Sequence, residues 1–222
     1  MCMRNHQLFP ASYSKLSTYE TCPSKVKFRY IEKVPSAKGA AATRGSMLHA
    51  SIEGYLLKEK ETLHSEVDSI KEVIKMVRKK DPIIEHKLAL KEDLLTPVEW
   101  GSSDAFFRQV IDCAYREEKE GFVQEWKSGK VYDDHASQRK IYAMGTLIIW
   151  PDIDQSTATT YYIDQKHNEP LLVTRPELTL GAWQLQQRLE VMANDKYFAP
   201  RPGRYCNWCD YSRKKGGPCR VG

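Results

Sequence analysis

The 222-residue sequence contains no apolar run near the roughly 18 residues that a membrane-spanning helix needs. Its longest such run, Ala143–Trp150, is interrupted by Gly145 and Thr146. The opening Met1-Cys2-Met3-Arg4-Asn5-His6 lacks the apolar centre of a secretory signal. We therefore expect a cytoplasmic protein, neither membrane-bound nor secreted. Internal repeats, low-complexity tracts and clear linkers are missing too, so one unit spanning 1–222 is expected. What is present suffices for a buried core: 41% of residues are hydrophobic and 10% aromatic, which excludes global disorder.

Charge is unevenly distributed. The formal net charge is +5, but residues 1–47 carry +6, residues 201–222 carry +5, and the stretch between is acidic at −6. If the two ends meet, they form a positive surface suited to a polyanion, while the acidic middle suits divalent cations. Solvated lysines are the plainer explanation of the counts alone. The six cysteines are Cys2, Cys22, Cys113, Cys206, Cys209 and Cys219. Without a secretory signal, disulfides are a poor default. The spacing Cys206-x2-Cys209-x9-Cys219 reads as part of a metal site, with Cys22 in the other basic end as the fourth ligand.

Periodicity predicts helices first. Ser17 is expected to cap a short helix through Tyr19, and Pro23 to open another over about 23–32. A small-residue loop, Ser36–Thr43, precedes a helix over about 44–60, in which His49 and Glu53 share a face. Residues 66–80 form an amphipathic helix that Asp81-Pro82 ends. Strands follow over 83–90, 106–115 and 122–127, then a helix over 135–149. Strand-like stretches at 146–150 (in competition with that helix), 159–163 and 171–174 precede a helix over 176–195. The order predicts an α/β fold with a mixed sheet flanked by helices.

The chemistry concentrates in one hairpin. With residues 118–121 as a loop closed by Gly121, position 112 faces 127 and Glu125 lies diagonal to Asp112 on the same face. Asp112, Glu125 and Lys127 then project together, and two such carboxylates call for a hard cation or hydrogen bonds. A solvent-facing edge with a cross-strand ion pair fits the spacing equally well. Read without further context, His49 is a partly buried histidine bonded to Glu53. Glu53 orients neighbours such as Arg44, and Glu85 is a solvated strand residue rather than a peripheral metal group.

Six short motifs in order resemble the PD-(D/E)XK nuclease superfamily, in particular its RecB-like exonuclease branch. That branch includes CRISPR-associated exonucleases, AddB-type subunits and phage exonucleases. The motifs are Leu16–Pro23, Arg44-Gly-Ser-Met-Leu-His49-Ala-Ser-Ile-Glu53, Val110-Ile-Asp112, Glu125-Trp-Lys127-Ser-Gly-Lys130, Gln138-Arg-Lys-Ile-Tyr142, and Phe198-x-Pro200-x-Pro202-Gly203 leading into Cys206-Asn-Trp-Cys209. Gln109 stands near where the family has glycine.

The resemblance implies a restriction-endonuclease-like core and a Mg²⁺- or Mn²⁺-dependent DNA exonuclease. Asp112, Glu125, the Trp126 carbonyl and His49 would hold the metal. Lys127 would stabilise charge at the phosphate, and Gln138 and Tyr142 would buttress Lys127 and touch the DNA backbone. It further implies a [4Fe–4S] cluster on Cys22, Cys206, Cys209 and Cys219, joining segments 16–32 and 199–222 into a cysteine-cluster subdomain; four thiolates suit Zn²⁺ as well. Cys113 is expected to be buried packing and Cys2 unligated. Tyr13, Tyr19, Phe28, Tyr30 and Trp208 would stack on unpaired bases or pack around the cluster. The implied substrate is single-stranded DNA or duplex ends, with a second copy or a helicase, recombination or CRISPR protein as partner. Two rivals remain at this stage: a catalytically silent nucleic-acid-binding module, and a zinc-stabilised subunit of a larger complex.

Overall fold

The structure is a computed structural model that describes residues 6–36, 40–131 and 135–221. Cys2 and parts of the expected loop Ser36–Thr43 lie outside the described residues. The frame is a six-stranded sheet in the order β2-β1-β3-β4-β5-β6. Its strands are β1 Ile83–Leu90, β2 Pro97–Val98, β3 Phe107–Glu117, β4 Glu120–Lys127, β5 Gln155–Tyr162 and β6 His167–Thr174. All neighbours are antiparallel except β4 and β5. That parallel pair is bridged by helix α5, His135–Ile149, because parallel neighbours need a crossover instead of a tight turn.

Two apolar clusters form against this sheet. One gathers Leu16 of α1 (Tyr13–Thr21), Ile141 and Leu147 of α5, and Leu185 and Leu189 of α6 (Leu178–Asn194) around Val123, Ala158 and Val173. The other packs Leu48 and Ile52 of α3 (Ala40–Leu56) and Ile74 and Val77 of α4 (Lys71–Arg78) against Cys113, Tyr115 and Trp126. Helix layers on a mixed sheet match the expected class. Among the described residues no helix is long and apolar enough to cross a membrane.

Several boundaries differ from expectation, each for a local reason. Ser12 caps α1, its side chain accepting from the Lys15 N–H, so Ser17 falls inside the helix. The second helix is split into α2, Pro23–Val26, and a π-helical turn, Lys27–Ile31. Helix α3 starts at Ala40 because its alanines are the strongest helix formers, not loop residues. It ends at Leu56, where the Gly54 carbonyl accepts from both Glu59 and Lys60. The expected helix over 66–80 begins as a 3-10 turn, Ser65–Ile70, before α4. Residues 146–149 stay in α5, where Leu147 is fully buried, so no strand forms there. The Arg175 side chain holds that helix end, donating to the carbonyls of Leu147, Trp150 and Ile153 at 3.2, 3.0 and 2.6 Å.

The central hairpin carries the largest correction. Glu117 pairs with Glu120, so the loop is the two residues Glu118-Lys119, with Glu118 in the left-handed region at φ 48°. The register therefore moves by two from expectation. One step beyond the last paired residues, Cys113 and Gln124, Asp112 comes level with Glu125, not Lys127. A shift of two preserves which face each side chain occupies.

Candidate active site

The paired ladder between β3 and β4 stops at Cys113 and Gln124, and the charged residues sit in the gap beyond it. Glu125 is buried, 4% exposed. Its Oε1 accepts from Lys127 Nζ at 2.5 Å and from Gln138 Nε2 at 3.4 Å. Gln138 also donates to the Tyr142 hydroxyl at 2.9 Å, one turn along α5. Gln138 thus reaches Glu125 and Tyr142, and it is Glu125 that holds Lys127. His49 Nε2 lies 2.6 Å from the Trp126 carbonyl oxygen. A carbonyl only accepts, so Nε2 carries the proton. The other ring nitrogen stands 3.3 Å from Asp112 Oδ2, so the partners of His49 are Trp126 and Asp112. Arg44 pairs with Glu66 and Asp164, not with Glu53.

The electrostatics are those of a site short of positive charge. Burial first, then the Glu125 charge, pushes the Asp112 carboxyl well above its ordinary range. Burial alone would lower the Lys127 ammonium, but the charge and hydrogen bond of Glu125 outweigh it, and its pKa is raised. Burial and the same carboxylates raise the Tyr142 phenol. Asp112 Oδ2 and Glu125 Oε2 are both buried with no hydrogen-bond partner among the described residues. Buried acceptors left in this state are costly.

Two clefts open onto these groups. One, of about 690 Å³, lies between α1, β3 and α5 and reaches Asp112, Lys127, Gln138 and Tyr142. The other, of about 580 Å³, is lined by His49, Glu53, Glu85, Asp112, Trp126 and Lys127. Glu85 thus joins the acidic group. Its backbone is left-handed in mid-strand, at φ 47°, beside the paired residues Ile84 and His86, which face Cys113 and Ile111. Burial and then the Glu53 and Glu125 charges raise its carboxyl. The β1–β3 register sets Glu85 level with Asp112, so the two share a face, and Glu85 stays exposed as a solvated strand residue would.

The two basic ends do meet. Ser24 Oγ donates to the Phe198 carbonyl at 2.6 Å, and Arg201 donates to the Glu20 carbonyl at 2.6 Å. Cys22, Cys206, Cys209 and Cys219 line one cavity of about 40 Å³ there, all as free thiols. The Arg201 N–H points to Cys22 Sγ at 3.5 Å. Cys113 is fully buried in the sheet, as expected. Tyr13 and Tyr19 are buried, Phe28 packs on Tyr211, and Trp208 is exposed. Among the described residues no three His, Cys, Asp or Glu side chains are drawn together tightly enough to hold a metal ion. The four cysteines share one cavity, and His49, Asp112 and Trp126 share another that Glu125, buried, does not line.

A family model described as the PD-(D/E)XK nuclease superfamily matches residues 10–213. No curated protein matches the sequence. Among solved structures, the crystal structure of SSO0001 is similar at TM-score 0.55 and 15% identity, over 95% of this chain and 86% of that one. A structure named "Putative exonuclease" from Eubacterium rectale is similar at TM-score 0.53 and 12% identity, over 89% of this chain and 86% of that one. At these identities the likeness shows a shared fold.

Proposed function

The chain belongs to the PD-(D/E)XK nuclease superfamily, and from that premise we propose that it is a Mg²⁺- or Mn²⁺-dependent DNA exonuclease of the RecB-like branch. Its substrate is single-stranded or resected DNA, cut from the end. The observation that carries this reading is the closeness of Asp112 and Glu125, each with a buried oxygen that accepts no hydrogen bond, beside a lysine. Two hard oxygen donors in a buried acidic pocket fit Mg²⁺ or Mn²⁺. Asp112 and Glu125 would hold the ion, with the Trp126 carbonyl and His49 as further donors. His49 would exchange its hydrogen bond to Trp126 for that role. Bound there, such an ion polarises a phosphodiester and lowers the pKa of a water.

The remaining work falls to the chain's own groups. Lys127, held by Glu125 and kept protonated, places a fixed positive charge where the pentavalent phosphate gathers negative charge. A lysine whose pKa is raised is unsuited to act as a base. Gln138 fixes the Glu125 oxygen that faces Lys127, and Tyr142 fixes Gln138. End-labelled single- and double-stranded DNA with Mg²⁺, Mn²⁺ or EDTA tests the reading. Loss of nucleotides from labelled ends only with metal supports it; DNA binding with no cleavage in either metal refutes it.

The same reading extends to the tail. Cys22, Cys206, Cys209 and Cys219 would hold a [4Fe–4S] cluster, since four sulfur donors share one cavity and a backbone N–H already points at one sulfur. A cluster there would close nearly the whole chain into one loop and stabilise it as a long-range crosslink. Zn²⁺ takes the same donors. Iron and sulfide in anaerobically purified protein, against zinc, separates the two.

A further inference from the structure

The larger cleft has an end that the proposed chemistry leaves unused. It runs from Asp112 and Lys127 along β3 to Arg108, and is walled by Lys15 of α1 and by Trp100. The Arg108 guanidinium lies over the Trp100 ring, 5.1 Å from its centroid, and the Lys87 ammonium is 5.8 Å from the same ring. Among the described residues no carboxylate pairs with Arg108, and its Nε is buried without a hydrogen bond. A guanidinium offers five N–H donors and no acceptor, so leaving it unmatched inside a cleft is costly.

Lys15 stands across the same space. Its Nζ donates to the carbonyls of Leu8 and Pro10 at 3.2 and 2.8 Å, and no carboxylate pairs with it among the described residues. Burial and then the Arg108 charge hold its pKa below the ordinary value. The cleft is therefore bipolar. Glu85 and Asp112 line one end, while Lys15 and Arg108 line the other with no acid between them. An anion seated between the two cations would relieve their repulsion and satisfy the guanidinium.

We propose that Arg108, held over the Trp100 ring, clamps a backbone phosphate of a single nucleic-acid strand in the cleft between α1 and β3. The proposal rests on the nuclease reading and adds a strand-binding site to it. Arg108 and Asp112 are four residues apart on one strand, ~13 Å at ~3.3 Å per residue. The clamped phosphate therefore belongs to a neighbouring nucleotide and not to the bond being cut. Trp100 is a positioning residue: it holds the guanidinium over its ring.

Anisotropy of a labelled oligothymidylate, titrated in EDTA across a salt series, tests the clamp. Arg108→Gln is expected to weaken binding about tenfold or more and to flatten the log–log salt slope by about 0.7, the share of one single-strand phosphate contact. Trp100→Leu is expected to weaken binding alone but to add nothing once Arg108 is Gln. Lys15→Gln, on the opposite wall, reads the same cleft and flattens the slope even if an Arg108 variant fails to fold. Lys75→Gln, on the distant surface of α4, is expected to change nothing. Wild-type affinity and slope in a folded Arg108→Gln, or in Lys15→Gln should Arg108→Gln not fold, overturn the clamp and leave the nuclease reading standing. Binding that follows the expected pattern without cleavage in Mg²⁺ or Mn²⁺ overturns the nuclease reading and leaves the clamp.

Discussion

Replacing Asp112 by Asn is expected to stabilise the protein while ending its cleavage of DNA. The side chain is 14% exposed, its Oδ2 has no hydrogen bond, and burial and then Glu125 raise its pKa. The folded chain therefore holds this proton more tightly than the unfolded chain, whose aspartate titrates near ~3.9. The group's favourable contribution is full below that value and is lost as pH rises through the folded pKa. Near neutrality the ionised form is a cost to the fold. An unpaired buried acceptor costs about 1–3 kcal/mol; asparagine keeps the shape, drops the charge and can donate to Glu125. The gain expected in EDTA at about pH 8 is thus ~1–3 kcal/mol, and each kcal/mol raises Tm by roughly 2–4 °C at this chain length. Mg²⁺ at a hundred times Kd is expected to stabilise wild type by about 2.7 kcal/mol and the variant hardly at all. Thermal and urea unfolding measure both. An Asn variant less stable than wild type in EDTA would mean that Asp112 is not destabilising in the fold.

Lys127→Ala is expected to abolish cleavage while DNA affinity in EDTA stays within about threefold, since one cation near the cut site contributes one contact among many; unchanged turnover would remove Lys127 from the site. In the tail, a Cβ on Gly217 would fall 2.3 and 2.4 Å from the Tyr211 carbonyl carbon and oxygen. Gly217→Ala should therefore cost about 1–3 kcal/mol and lower metal content, read by unfolding and elemental analysis. Cys206→Ala should reduce metal content and stability together; a metal-replete, fully stable variant would mean the thiols hold nothing. Arg175→Ala removes three hydrogen bonds that tie the end of α5 to the turn before β5, and about 2 kcal/mol of stability should go with them.

How far the sequence leads depends on what each step encodes. Alternation placed Asp112, Glu125 and Lys127 on one face, and that survives a two-residue error in register because the pleat repeats every two. The error itself lies in the turn. A two-residue hairpin loop asks for a positive φ, usually met by Gly or Asn, and here Glu118 takes it, leaving Gly121 as a misleading landmark. Glu85 is an exposed strand residue, as alternation predicts, and only the β1–β3 register, which no local pattern carries, sets it level with Asp112. The start of α3 lies in a run of alanines that local composition alone also fits to a loop. Strand β5 reads as polar from Gln155 to Thr160, yet Ser156, Ala158 and Thr160 are buried, so its first half depends on tertiary packing that no local pattern carries. Arg108 and Trp100 could not be paired from sequence at all, because the loop between β2 and β3 brings them together.

The most direct measurement is anomalous diffraction from a crystal of the protein soaked in Mn²⁺. One strong peak is expected between Asp112 and Glu125, at about 2.1 Å from an oxygen of each, and it should be lost in Glu125→Gln. A soaked crystal with manganese bound elsewhere and nothing between those two carboxylates would contradict the proposed metal site.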